Sequence, residues 1–506
     1  MNEENSIGKI NKLAFWPAVI ALVVFVIAGI VNTQAVGNAM TKILSVIANY
    51  FGAYINILFT GILNTRGSDH HWKVWGCDHW RKRCQTRLQY ANMVCDVNLF
   101  RNWNGIVILG DWGTNFPLYA DTNSDWTGTD KNSRYLCGST GDVGLEFYPV
   151  CNVCSLRSSI AVLCFNKGKS LSISSIVECV TNKKIPWLNT LVTCLVIFCL
   201  MGATANSMGV GLMQIGAGLE TVFGIAQSPI VWILIAAFVS TIFILSCVSG
   251  IGKGLKIISS ICMYFFIFLL IFVFIFGNTP FIGKITSEAI GFIIDHWGTQ
   301  TMLMNAMAPK DTWFSEWSVM YWNSFIMYAP IIGMFLARMG KGRTIRTFML
   351  VQVLVPSVFC IIWIGIFGGQ TIFLQTSGTL DVWNAVQTSG MQATVFQILG
   401  SLPGSKIITV LFLCTITLSF CTLADPMASV ASTLSVDGLS ADDEPPKKQK
   451  VLVGIILAAV ACTLVISGGT TAIKGMINLN GLLQSVVMIC VQLRSLNLVK
   501  KKIMNM

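Results

Sequence analysis

Trp317-Ser-Val-Met-Tyr-Trp-Asn-Ser-Phe-Ile-Met-Tyr-Ala-Pro330 carries no charge, and the uncharged run continues to Ala337 before it meets Arg338-Met-Gly-Lys-Gly-Arg-Thr-Ile-Arg346. A helix needs about 20 apolar residues to cross the hydrocarbon core of a bilayer, so 317–337 is long enough. The cations Arg338, Lys341, Arg343 and Arg346 that follow read as a cytoplasmic loop, because short basic loops stay inside. An aromatic span running into a basic loop sets the fold class.

Working outward, nine further stretches of similar character appear: 14–31, 43–63, 185–219, 221–252, 257–283, 347–380, 407–424, 451–473 and 475–493. Only 11% of the 506 residues are charged and 54% are hydrophobic, against roughly 25% charged in a soluble domain. That excludes a soluble enzyme, a disordered chain and a secreted disulfide scaffold. The net charge of +11 fits basic cytoplasmic loops and gives no reason to invoke nucleic acid. Many of the 17 Cys lie inside apolar runs (Cys194, Cys199, Cys247, Cys414, Cys421), where a thiol behaves as a small hydrophobe. Basic clusters at Lys253/Lys256, Arg338 to Arg346, Lys447 to Lys450 and Lys500 to Lys502 are each two spans apart, so one side of the membrane takes them all. Lys9/Lys12 and Lys167/Lys169 join them if an even number of spans intervenes. Residues 284–316 mix charge with apolar residues, as expected of an interfacial helix, placed near 284–312, on the outer face.

Residues 66–159 break this pattern. They hold 19 charged residues in 94, against 38 in the other 412, together with three of the four His and six of the 15 Trp. His70, His71, Cys77, His79, Cys84 and the pair Cys151/Cys154 suggest a metal-binding or redox insert. A single CxxC without a second pair at matching spacing is a weak signal, however, and helix or strand periodicity is missing. The genetic code supplies a sharper account. Read one nucleotide later, the degenerate codons of Leu109 to Asn115 permit W-G-I-G-E-P-I, those of Asn92 to Val97 permit W-F-A-M-L, and those of Leu145 to Cys154 permit W-S-S-I-P-Y-A-M-Y-A. One shift turns polar text into span-like text at several places. We therefore read 66–159 as out of frame, with the frame restored near 160–165; a polar loop with a chance resemblance is the competing reading.

The stretch 317–346 resembles the betaine/choline/carnitine transporter family, whose eighth span has the form W-x-x-x-Y-W-A-W-W and ends in A-R-x-S-R-G-R-T-I-R. Ala203-Thr-Ala-Asn-Ser-Met-Gly-Val-Gly-Leu-Met-Gln-Ile-Gly-Ala-Gly-Leu219 is similar to its fifth span, and Thr422-Leu-Ala-Asp425 to the T-S-A-D-S of its tenth. The shifted readings fall where its third and fourth spans belong. This resemblance implies an all-α polytopic membrane protein of twelve helices, with two five-helix inverted repeats (LeuT-like), spans 3–7 and 8–12. In each repeat the first helix is discontinuous. Both termini lie in the cytoplasm, the chain sits in the plasma membrane, and substrate binds near the midplane at the repeat interface. The expected divisions are a tail and spans 1–2 over 1–65, the anomalous segment 66–159, a core of spans 5–12 over 160–493, and a cytoplasmic tail over 494–506, with spans 3–4 missing or disordered as written.

The resemblance also implies a function: secondary transport of small zwitterionic or quaternary ammonium compounds such as glycine betaine, choline or carnitine. A quaternary ammonium has no hydrogen to donate, so shape and the negative faces of aromatic rings must hold it. Trp322, Ser324, Phe325 and Tyr328 stand at the family's aromatic-box positions. Ser324 thins that box, which leaves a smaller or hydrogen-bonding zwitterion as a rival substrate. Thr204, Asn206 and Thr422 match positions of ion ligands, although Leu423 replaces a Ser and Asn206 a Thr. Cys262 stands where sodium-independent exchangers carry an Arg. Na+ and H+ both remain open as coupling ion, and no cofactor or resident metal is implied. Arg338, Arg343 and Arg346 anchor the loop after span 8; Gly209, Gly211, Gly216 and Gly218 permit close helix packing. The resemblance further implies a homotrimer. A membrane-anchored metal-binding or redox enzyme and an inert product of a frameshifted gene are the rival readings. Nucleotide sequence across codons 55–170 should show an open frame, one base later, that encodes two apolar spans; a stop codon in that frame would overturn the shift.

Overall fold

The computed structural model describes residues 11–64, 173–249, 252–302, 318–329, 332, 355–436 and 445–504. The segment 66–159 and the arginines 338, 343 and 346 lie outside them. The described residues form thirteen helices and no strand. In chain order these are α1 (Lys12–Val31), α2 (Thr33–Asn64), α3 (Ile173–Thr181), α4 (Pro186–Phe223), α5 (Pro229–Ser249), α6 (Gly252–Phe276), α7 (Thr279–Met302), α8 (Ser318–Ile326), α9 (Val355–Thr376), α10 (Val382–Ser389), α11 (Met391–Gly400), α12 (Ser405–Leu434) and α13 (Lys447–Met504). Among the described residues, five helices are long and apolar enough to cross a membrane, and a sixth if the bent pair α6–α7 counts as one.

Local chemistry sets the ends. Asn11 caps α1 by accepting from the Ala14 N–H at 3.0 Å, and Asp381 caps α10 the same way through Asn384. Such caps satisfy amides that the first turn leaves open. Gly224 ends α4 with a φ of 72°, a left-handed conformation that costs glycine little.

Two expectations shift. The span expected at 257–283 stops at Phe276, and the interfacial helix expected near 284–312 starts at Thr279, bent by 109° from the segment before it. Asn278 makes the corner: its side chain accepts from the Phe281 N–H at 3.1 Å, and its own N–H donates to Gln370 Oε1 at 2.9 Å. Asn-Thr-Pro is a helix-start signal, with Pro280 in the first turn where no N–H is needed. The spans expected at 451–473 and 475–493 fall in one helical stretch, α13, divided at Gly469 with φ 53° and ψ −127°. The short helices α3, α10 and α11 were not anticipated from sequence. They are too brief and too mixed in polarity to stand out as spans.

The faces sort as a lipid solvent demands. Tyr264, Phe268, Ile271 and Ile275 recur on one side of α6 and are all about half exposed or more, as are Ile20, Val24 and Ile27 of α1. Apolar side chains on the outside need no burial when the surroundings are hydrocarbon. The interior is made by α4 and α13, which pack on each other and on α1, α2, α5, α8 and α12. Glycines let them approach. A Cβ on Gly475 would lie 2.5 Å from the Met40 carbonyl oxygen, and one on Gly37 would strike the Ser467 carbonyl. On α4, Gly209 faces Ile473 and Val465, Gly211 faces Phe420, Gly216 faces Trp232, and Gly218 faces Phe396 and Leu413. These four of the five glycines of α4 thus serve packing. Gly475→Val should destabilise the protein by about 1–3 kcal/mol through overpacking against backbone. Gly283→Ala, where a Cβ meets nothing within 4 Å, should be neutral or slightly stabilising; thermal unfolding of the two variants in the same detergent compares them.

Candidate functional site

The aromatic helix α8 runs only from Ser318 to Ile326. Pro330 has no N–H to offer the Ile326 carbonyl four residues back, so a helix cannot continue past that point without loss. The chain turns instead: Met327 N–H still reaches Asn323 O at 3.0 Å, but Tyr328 N–H tightens onto Phe325 O at 3.2 Å. Ala329 and Ile332 are helical again, and the Ile332 N–H reaches the Tyr328 carbonyl at 3.0 Å, so within the described part of the span expected over 317–337 there is a local break at Met327–Tyr328.

Trp322, Ser324 and Phe325 are all buried. Tyr321 bridges the two large rings, edge-on to Trp322 with centroids 6.2 Å apart and to Phe325 at 5.3 Å. The Ser324 hydroxyl donates to the Tyr321 carbonyl at 2.6 Å, so it is folded onto its own helix. Tyr328 reaches across to α4: its hydroxyl lies 2.6 Å from the Ala203 carbonyl and 2.7 Å from Ser207 Oγ. A carbonyl only accepts, so the phenol donates to Ala203 and receives its second bond from Ser207. This pair ties the interrupted end of α8 to α4.

On its other side α8 is tied to α13. Asn323 Nδ2 donates to Asn478 Oδ1 at 2.5 Å, and Asn478 Nδ2 donates in turn to the Lys474 carbonyl at 3.1 Å. Both asparagines are fully buried, and Gly481 leaves room for Asn323. Sequence reading passed over Asn323 and Asn478. The available signal was a set of carboxamides (Asn478, Asn480, Gln484) inside an apolar span, where polar side chains are costly unless used.

Of the three positions read as ion ligands, Thr204 donates to the Leu200 carbonyl and Thr422 to the Ser419 carbonyl, both at 2.8 Å. Such back-bonding is ordinary for Thr in a helix. Asn206 is 1% exposed, and neither amide atom has a hydrogen-bond partner among the described residues. Cys262, on α6, donates to the Thr415 carbonyl of α12 at 3.7 Å.

Residues 143–503 match the model of the BCCT, or betaine/carnitine/choline, family of transporters. The chain belongs to that family. Among its relatives are a probable glycine betaine transporter of Desulfitobacterium hafniense, 31% identical over 63% of this chain and 63% of its own length, and the glycine betaine transporter OpuD of Bacillus subtilis, 30% identical over 65% and 64%. Glycine betaine transporter 1 of Vibrio parahaemolyticus is 28% identical over 71% and 66%. The chain thus spans just under two thirds of the length of these relatives. Family membership does not favour the metal-binding or redox enzyme. Among the described residues no three His, Cys, Asp or Glu side chains gather as a metal site, and the Cys/His-rich segment lies outside them. The family match begins at residue 143, inside the segment read as out of frame.

The tie between α8 and α4 is open to measurement. Tyr328→Phe keeps the ring and removes two hydrogen bonds, leaving Ser207 without its partner. It should cost about 0.5–3 kcal/mol of stability, and a double-mutant cycle with Ser207→Ala should show coupling.

Proposed function

We propose that the chain is the core of a secondary transporter for small zwitterionic or quaternary ammonium solutes, with glycine betaine, choline and carnitine as the first compounds to test. The observation that carries this is the aromatic helix α8: buried, broken at Met327–Tyr328, and tied on one flank to α4 and on the other to α13. Trp322 and Phe325 supply ring faces for a methylated ammonium, Tyr328 closes the box at the break, and Ser324 leaves the gap that relatives fill with an aromatic side chain. Each ring contact is worth about 0.5–2 kcal/mol, more as water is excluded. A broken helix also frees backbone carbonyls for a coupling ion. Thr204, Asn206 and Thr422 are the side chains assigned to that ion, Na+ or H+.

Both termini are placed in the cytoplasm. In support, Asn11 N–H bonds Ser435 O at 2.9 Å, and Arg494 Nε donates to Cys179 O at 3.4 Å. The first contact pairs the start of α1 with the end of α12, and the second pairs the far end of α13 with α3, as an even number of spans between the members of each pair requires. Arg338, Arg343 and Arg346 anchor the same side, and three copies assemble in the plasma membrane. Residues 66–159 stand in for spans 3 and 4 read out of frame. The chain as written then lacks the first two helices of repeat one and does not transport, because Arg81, Lys82, Arg83, Asp96 and Arg101 would each cost roughly 2.5–3.5 kcal/mol at bilayer depth.

Uptake of radiolabelled betaine, choline and carnitine into transporter-deficient cells tests the proposal. The frame-restored protein should give saturable uptake and the chain as written none. In the restored protein Phe325→Ala and Tyr328→Ala should each raise the apparent KM by about three- to thirty-fold. Uptake by the unrepaired chain, or unchanged KM in both variants, would refute the reading.

A further inference from the structure

Where α4, α8 and α13 meet lie buried carboxamides that the described residues do not satisfy. Asn206, Asn480 and Gln484 are 1%, 0% and 0% exposed, and neither the oxygen nor the nitrogen of any of the three has a hydrogen-bond partner among the described residues. Native interiors rarely tolerate this, since each orphaned group loses its hydration without compensation. The three belong to one seam. The amide of Asn480 lies directly against Gly202 of α4, at the place a Cβ would occupy. The two helices run antiparallel here, Gly202 meeting Asn480 and Gly209 meeting Ile473, so Asn206 and Gln484, each one turn from that contact, flank Asn480 on opposite sides, roughly 12 Å apart along the seam. The seam adjoins the aromatic helix. Ala203, next to Gly202, accepts from Tyr328, while Asn478, two residues before Asn480, accepts from Asn323.

We propose that this seam is a binding site for small zwitterions that carry N–H groups, namely primary or secondary ammonium carboxylates. The inference rests on the transport reading above and narrows its substrate class. The orphaned atoms are half acceptors and half donors, and exchanging oxygen and nitrogen in any of the three amides changes nothing, because both ends are unpaired. A metal ion would satisfy the oxygens and leave three NH2 groups bare. A quaternary ammonium carboxylate would satisfy the NH2 groups and leave the oxygens bare. A solute with ammonium N–H at one end and a carboxylate at the other satisfies both kinds of group, bridging Asn480 and the neighbouring Asn206. This moves Asn206 from the ion, to which the transport reading assigns it, to the solute, and leaves Thr204 and Thr422 with the ion. Ser324, where the family places an aromatic ring, fits the same change: methyl groups need ring faces, and N–H groups need carbonyl oxygens.

The series glycine, N-methylglycine, N,N-dimethylglycine and glycine betaine holds the carboxylate constant while the ammonium loses its N–H groups one by one. Equilibrium dialysis of the radiolabelled compounds against the purified full chain should give affinity falling by about tenfold or more from N-methylglycine to betaine. Asn206→Leu and Asn480→Leu should flatten the series and, by removing orphaned amides, raise the melting temperature of the ligand-free protein; a purely structural role would lower it. Gly202→Ala is the second variant. It keeps all three amides in the chain but displaces that of Asn480, and should weaken N-methylglycine binding by about tenfold. A flat or inverted series, an unchanged series in the variants, or no binding of any member to the folded chain (a seam filled by water alone) would each overturn the proposal. Betaine binding that is lost in Phe325→Ala and indifferent to Asn206→Leu would sink this inference and keep the aromatic box. Amide-dependent binding beside a frame-restored protein that takes up nothing would keep this inference and sink the transport reading.

Discussion

Backbone-to-backbone approach at α13 holds the described helices together. In lipid, burying an apolar side chain against another helix gains little over leaving it against acyl chains, so association depends on close contact and on polar groups that pair across helices. Gly475 seats the Met40 carbonyl, Gly37 seats that of Ser467, and Gly202 seats the Asn480 amide. With α2 and α4 drawn onto α13, the remaining elements find their neighbours: α8 lies against α13, and α12 against α4. The outward faces are left apolar, with Tyr264, Phe268 and Ile275 exposed.

Polar side chains inside this assembly divide by what they do. Thr204, Thr286, Thr415 and Thr422 return their hydroxyl protons to their own helices, which removes a cost and adds no tie. Tyr328, Asn323 and Gln370 instead cross between elements. The first two fix the aromatic helix from both flanks, and the third fixes the corner between α6 and α7. The Tyr328 and Gln370 ties sit where regular helix geometry fails, at the turn after Ile326 and at Asn278, because freed backbone groups in a dry interior must find partners, while Asn323 and Asn478 pair from within regular helix. Asn206, Asn480 and Gln484 do neither, and that exception marks the junction.

How much was legible in advance follows the same division. The apolar runs announced the helices, since a hydrocarbon solvent imposes length and the absence of charge directly on sequence. The Trp317–Arg346 stretch carried the family signature, and Trp322, Phe325 and Tyr328 were singled out by that resemblance. Pro330 and Asn278-Thr-Pro280 are local signals whose consequences, the end of α8 and the early start of α7, could have been read more closely. Asn323 paired with Asn478 could not, because the two lie 155 residues apart and either one alone reads as an isolated polar residue.

The sequence by itself determined an all-helical membrane protein of the betaine/carnitine/choline family, because hydropathy, charge distribution and a motif of adjacent residues are properties of contiguous text. Tertiary structure decided which face of α8 meets α4 and which meets α13, that four glycines of α4 each seat a different neighbour, and that three carboxamides from two distant helices share one seam without partners. Those facts depend on the rotation and height of one helix against another. They are set by small residues and cross-helix hydrogen bonds whose two halves are far apart in the chain.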